Sequence, residues 1–151
     1  MLIAKRVSIW RSSYLISAEG RPVATWDSAF WKSGGTFDLD GQQYRVNANA
    51  WGTRYTLTGP DGTPLASADR VGRKNWTVQA GGQTYRFQRR SFWSTDQELH
   101  TDQGPAGSVR RTSMWGDQVA VDLPGMPMPV QIFVLGVVIT MWNAQAAAAA
   151  G

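Results

Sequence analysis

Between Arg70 and Trp93 the chain carries six basic residues, Arg70, Arg73, Lys74, Arg86, Arg89 and Arg90, and no acidic one. A guanidinium group offers paired N–H donors that match phosphate oxygens, so an acid-free cluster of this kind is suited to phosphate binding. If Arg73 and Lys74 open a strand and Arg89 and Arg90 close its hairpin partner, these residues and Arg70 come together at one end of the hairpin. Arginines also simply solvate outer faces, and a net charge of +4 is a mild excess. A second constellation is Asp96, Glu98, His100 and Asp102, whose alternate spacing puts all four on one face of a strand. Carboxylates beside an imidazole can hold a divalent cation. A solvent-facing strand with Leu99 turned to the core explains the same pattern.

Several chemistries are excluded by what is missing. Zero cysteines remove disulfides, zinc thiolates and a cysteine nucleophile. His100 is the only histidine and no Gly-x-Ser-x-Gly accompanies it, so a serine triad has no support. Neither a glycine-rich phosphate loop nor a dinucleotide fingerprint occurs, and Gly34-Gly35 and Gly81-Gly82 read as hairpin turns. No DNA- or RNA-binding motif joins the basic cluster, so nucleic acid is not an expected partner. The reading is of a chain with no catalytic residues, no metal site and no cofactor. The eight tryptophans are expected to pack.

The elements that must position the basic cluster are short strands divided by turn residues at near-regular spacing. Tyr14 to Ala18 and Pro22 to Trp26 flank Glu19-Gly20-Arg21. Phe37 and Leu39 alternate with Asp38 and Asp40, Asp40-Gly41 turns the chain, and Tyr44 and Val46 resume the alternation. Arg54 to Thr58 leads into Gly59-Pro60-Asp61-Gly62, whose proline and glycine preset the turn, and Thr63 to Ala68 returns. Trp76 and Val78 face Thr84 to Gln88 across Gly81-Gly82. Asp96 to Thr101 and Ser108 to Arg111 flank Asp102-Gln103-Gly104-Pro105, and Gln118 to Leu123 follows. With an N-terminal strand at Val7 to Trp10, the count is about twelve. Arg89-Arg90 and Arg110-Arg111 both close a strand just ahead of a tryptophan, which suggests a repeated hairpin unit.

After Asp122 no charged side chain appears, and Pro129 to Trp142 is the most apolar run. Only Gln131 and Thr140 interrupt it, on opposite sides of a helix, so no polar face exists and such a helix must be wrapped all round. Its span of roughly 20 Å falls short of the roughly 30 Å hydrocarbon core of a bilayer. A helix over about 129–145, buried in protein, is the expectation, with Pro129 placed in its first turn. Its β-branched residues and Gly136 oppose helix formation locally. Ala146 to Ala150 either prolongs the helix or frays. In the competing reading residues 126–150 span a membrane as a tail anchor, reaching roughly 37 Å, with Gln131, Asn143, Gln145 and the prolines standing against it.

Consecutive hairpins, a turn Thr58-Gly59-Pro60-Asp61-Gly62 with its return Leu65 to Ala68, a basic hairpin opening Val71-Gly72-Arg73-Lys74-Asn75-Trp76, and a terminal Pro127-Met128-Pro129-Val130-Gln131-Ile132-Phe133 together resemble the tubby C-terminal-like superfamily. That group includes the LURP-one-related proteins and the phospholipid scramblases. The resemblance covers nearly the whole chain and implies a mainly β fold, a closed antiparallel barrel of about twelve strands around a buried hydrophobic C-terminal helix. It also implies phosphoinositide binding or membrane work. It carries no catalytic signature, and the superfamily's sites do not map onto this basic cluster residue by residue. The combined expectation is a single domain over 1–151, monomeric and cytoplasmic, peripheral to the membrane. It would be a non-enzymatic binding or scaffold module that takes phosphoinositide or anionic phospholipid headgroups on Arg70, Arg73, Lys74, Arg89 and Arg90. A protein–protein interaction module is the remaining alternative.

Overall fold

The computed structural model describes residues 1–7, 13–27, 34–91, 94–112 and 118–150. The strands are β1 (Leu2–Arg6), β2 (Ser13–Ala18), β3 (Arg21–Asp27), β4 (Gly34–Leu39), β5 (Gln42–Ala48), β6 (Tyr55–Thr58), β7 (Pro64–Asp69), β8 (Asn75–Ala80), β9 (Gln83–Ser91), β10 (Ser94–Thr101), β11 (Gly104–Arg111) and β12 (Gln118–Asp122). Among the described residues one helix, α1 (Met128–Ala150), follows them.

Turn chemistry sets this succession. Glu19 and Gly20, Asp40 and Gly41, and Gly81 and Gly82 all take positive φ at both central positions, the backbone shape whose twist matches that of two antiparallel strands. Asp61 Oδ1 accepts the backbone N–H of Thr63 at 3.0 Å and fixes the longer turn between β6 and β7. This bond, joined by one from the Thr63 side chain, holds the Asp61 carboxyl below its ordinary pKa. Sequence neighbours pair throughout except β3 with β4, and β1 pairs with β12 as well as with β2, from Leu2↔Val121 to Lys5↔Gln118. The resulting sheet has the order β3-β2-β1-β12-β11-β10-β9-β8-β7-β6-β5-β4. Strands β3 and β4 lie side by side at its two ends. They bring the cylinder almost to closure, without a ladder between them among the described residues.

Alternation along each strand turns one set of side chains inward. Leu2 and Ala4, Tyr14 and Ile16, Ala24 and Trp26, Phe37 and Leu39, and Trp76, Val78 and Ala80 are all buried in one continuous core. Trp76 stacks on Phe87 with ring centroids 4.6 Å apart, and Phe37 on Tyr44 at 5.2 Å. A bore of this width cannot be filled by strand side chains alone. The helix fills it. Val130 and every residue from Ile132 to Trp142 are buried, while Asn143 to Ala150 projects beyond the core and is largely exposed.

Among the described residues the buried polar side chains Gln97 and Thr140 are satisfied locally. Thr140 Oγ1 donates to the Gly136 carbonyl one turn back at 2.8 Å. Gln97, 2% exposed, accepts the Trp76 indole N–H at 2.9 Å and donates to the Thr95 carbonyl at 3.2 Å.

Two sequence expectations need correction, and a third lies mostly outside the described residues: of the expected strand Val7 to Trp10 only Val7 is described, just past the strand Leu2–Arg6, which sequence reading did not find. The short LIAKR run of that strand buries only Leu2 and Ala4, too few for alternation to register. Gly34 and Gly35 are not a turn but the first residues of β4, opposite Asn47 and Val46. Gly34 has φ +117, and a β-carbon there would stand 2.6 Å from the Val46 carbonyl oxygen, so close backbone approach is the reason for the glycine. The helix also runs past 145, because the alanines that follow are strong helix formers.

Candidate functional site

In a meander, alternate connections fall at opposite ends of the barrel. The near rim, where the helix begins, holds the short turns Glu19-Gly20, Asp40-Gly41, Gly59 to Thr63, Gly81-Gly82 and Asp102-Gln103. The far rim, where the helix leaves, holds the connections from β5 to β6, β7 to β8, β9 to β10 and β11 to β12. The charges are unevenly divided between them. Glu19, Asp40, Asp61 and Asp102 sit in near-rim turns, with Asp38 and Asp122 just inside them, against Arg21 and the N-terminal ammonium, which lies 3.5 Å from Glu19. Arg70, Arg73, Lys74, Arg89, Arg90, Arg110 and Arg111 sit at the far rim. The barrel therefore has an acidic end and a basic end.

All five residues expected to bind phosphate lie at that basic end. Arg70, Arg73 and Lys74 are exposed in the connection between β7 and β8, a tight turn in which the Arg73 N–H donates to the Arg70 carbonyl at 3.1 Å. Arg70 takes φ +61 and Gly72 φ +94 to make it. The Arg89 N–H donates to the Lys74 carbonyl at 3.2 Å, which joins β9 to the turn and brings Arg89 and exposed Arg90 beside it. Arg86 is separate: it faces outward along the wall, paired in register with Thr77 and His100.

The far-rim carboxylates with described side chains are engaged. Asp69 accepts the Arg54 Nε–H at 2.6 Å, and Asp96 accepts the Arg111 backbone N–H at 3.3 Å. The Arg111 guanidinium lies over the Trp142 ring, 4.4 Å from its centroid, and the Trp142 indole donates to the Thr95 carbonyl at 2.8 Å. These contacts fasten the helix where it leaves the barrel.

A residue that sequence reasoning left among the packing tryptophans stands out on this rim. Trp26, Trp76 and Trp142 are buried as expected, but Trp51 is 86% exposed. It caps the connection from β5 to β6, which is built on Asn49. The Asn49 side-chain oxygen accepts the N–H groups of Thr53 and Arg54 at 2.9 and 3.1 Å, and its amide donates to Thr53 Oγ1 at 2.9 Å. The Gly52 N–H donates to the Asn49 carbonyl at 3.1 Å. The Val71 N–H donates to the Thr53 carbonyl at 3.0 Å, so this loop and the basic turn are directly bonded. Below them Tyr55 is buried, and burial raises its phenol pKa. Trp10, Trp31, Trp93 and Trp115 lie outside the described residues.

The Asp96, Glu98, His100 and Asp102 face does not converge on one point. Asp96 serves the Arg111 backbone, Glu98 lies 3.4 Å from His100, a bulge shifts the β10–β11 register between Leu99 and His100, and Asp102 belongs to the near-rim turn. Among the described residues no group of three or more acidic or histidine side chains is placed to hold a metal ion. Among the described residues, open grooves of about 360 to 410 Å³ on the outer wall border near-rim turns.

Helix Met128–Ala150 is long and apolar enough to cross a membrane by length and composition. Its middle is the barrel core, so a crossing would draw Ile132 to Trp142 out and leave Trp26, Phe37, Trp76 and Phe87 around an empty bore. Comparison with protein-family models, with curated proteins and with solved structures finds no match to this chain.

Proposed function

We propose that the protein is a non-enzymatic module that docks on anionic phospholipid headgroups, phosphoinositides among them, through Arg70, Arg73, Lys74, Arg89 and Arg90. The observation that carries this reading is the position of these residues on one rim, joined through the Arg73–Arg70 and Arg89–Lys74 backbone bonds, with the adjacent carboxylate Asp69 held by Arg54. Near an anionic membrane surface each Lys or Arg is worth about 1 kcal/mol, and the field decays within a Debye length of about 10 Å at 0.1 M salt. Five such residues on one rim act together only if the rim faces the bilayer. The acidic rim then points away from it, so the charge distribution orients the barrel as well as attracting it.

Co-sedimentation with vesicles tests this reading. Binding to phosphatidylcholine vesicles containing phosphatidylserine or a phosphoinositide should exceed binding to pure phosphatidylcholine, and should fall as salt rises. Equal binding to charged and neutral vesicles refutes it. The competing tail anchor over residues 126–150, which the length of the helix favours, predicts a protein that needs detergent and resists alkaline extraction from membranes.

A further inference from the structure

We infer that Trp51 is the group that enters the membrane interface when the basic rim docks, an inference that rests on the lipid-binding reading above. Among the described residues the exposed large apolar side chains are Met1, Val7 and Trp51, and Trp51 is the most exposed of them at 86%. An indole is amphipathic: its ring is apolar, its N–H needs a polar partner, and the headgroup layer of a bilayer supplies both. Turn tips ordinarily carry Gly, Asn, Asp or Ser. Here the tip is a tryptophan on a turn clamped by five hydrogen bonds, three of them made by the Asn49 side chain. The ring is therefore presented before any partner arrives, at little further ordering cost.

Position gives the occupant. The Val71–Thr53 backbone hydrogen bond places the Trp51 loop against the turn that carries Arg70, Arg73 and Lys74. An apolar ring beside three exposed cations matches a surface with anionic headgroups over hydrocarbon. A single-stranded nucleic acid would also accept a stacked ring among cations. Lipid is favoured because the same rim exposes Val7, an aliphatic side chain that cannot stack on a base, and the helix end Asn143 to Ala150, which has no charged side chain.

The experiment uses the full chain and vesicles of phosphatidylcholine with added phosphatidylserine, with and without bromine on the acyl chains. Bromolipid should quench part of the wild-type fluorescence, and Trp51→Phe should reduce that quenching, the other seven tryptophans being common to both proteins. Trp51→Ala should weaken vesicle binding roughly tenfold while leaving the salt dependence unchanged, since no charge is removed. Replacing Arg70, Arg73 and Lys74 by Glu should instead weaken binding and flatten the salt dependence. Because an absence of wild-type quenching needs no variant to read, the inference stays refutable even if a substitution misfolds. Wild-type binding without quenching, quenching unchanged in Trp51→Phe, or undiminished binding by Trp51→Ala overturns the role of Trp51 and leaves lipid binding standing. Failure of wild type to prefer anionic vesicles overturns both. Tighter binding to a single-stranded oligonucleotide than to vesicles, lost in Trp51→Ala, assigns the ring to base stacking and overturns the inference.

Discussion

Replacing Leu135 by alanine tests whether the helix is the core of the barrel. Leu135 lies midway along the buried stretch and has no exposed surface. Truncating it deletes three heavy atoms from a site closed on every side, which costs their transfer free energy and adds a cavity penalty. For fully enclosed leucines the sum is about 2–5 kcal/mol. In a domain of this size each kcal/mol lowers Tm by roughly 2–4 °C, so a fall of roughly 4–20 °C is expected. The control is Ala147→Gly on the same helix outside the barrel, where the loss is limited to helix propensity, about 1 kcal/mol at most and confined to an end that can fray. Urea unfolding followed by circular dichroism and by tryptophan fluorescence gives both free energies and shows whether helix and sheet melt together. A Leu135→Ala loss below about 1 kcal/mol, or helix signal that disappears before the sheet unfolds, would refute a helix that supports the barrel from within.

Two further outcomes follow from single polar groups. Gln97→Leu should leave the buried Trp76 indole N–H without its acceptor and cost about 1–3 kcal/mol; adding Trp76→Phe should recover part of that loss in a double-mutant cycle, because the orphaned donor is removed with it. Asp61 gives a pH signature. Its folded pKa lies below the ordinary value of 3.8, so its contribution is present above that value and is lost as pH falls through the folded pKa. Acid unfolding of Asp61→Asn should accordingly show a weaker dependence on pH below about 4 than wild type, and an NMR titration of Asp61 with a midpoint at or above 3.8 would contradict the assignment.

The hairpins were legible because their turns have local chemistry. Asp40-Gly41 and Gly81-Gly82 announce positive φ in residue types that tolerate it, and alternation on either side fixes the register. The helix was legible from an apolar run with no polar face. Gly34-Gly35 misleads because the same dipeptide that suits a turn also suits a strand pressed against a neighbour's carbonyl, and only the pairing with Val46 and Asn47 decides between them. The five basic residues could be grouped from one hairpin, since they flank a single turn pair. The wider polarity of the barrel has no local signal: Arg110 and Arg111 reach the same rim as Arg70 only because β7, β9 and β11 run in one direction. Counting connections along the meander exposes it, and would have placed Trp51 on the basic rim as well. Its exposure could not be read that way, because composition treats every tryptophan as a packing residue.

The order of pairing in the sheet also sets a timetable. Every ladder but one joins neighbours in sequence, and the exception, β1 with β12, ties Leu2 to Val121. All twelve strands leave the ribosome before the helix that their inner faces require. At ordinary rates of synthesis, about 5–20 residues per second, β1 waits on the order of ten seconds for its β12 partner. Hairpins can form during that interval, but a curled sheet without its axle has an apolar concave face and open edges, a state prone to aggregation. Closure is thus a late, long-range event, and folding should be slow for a chain of this size. The β3–β4 seam, where no ladder has to form among the described residues, offers a place for the sheet to stay parted until α1 is inside.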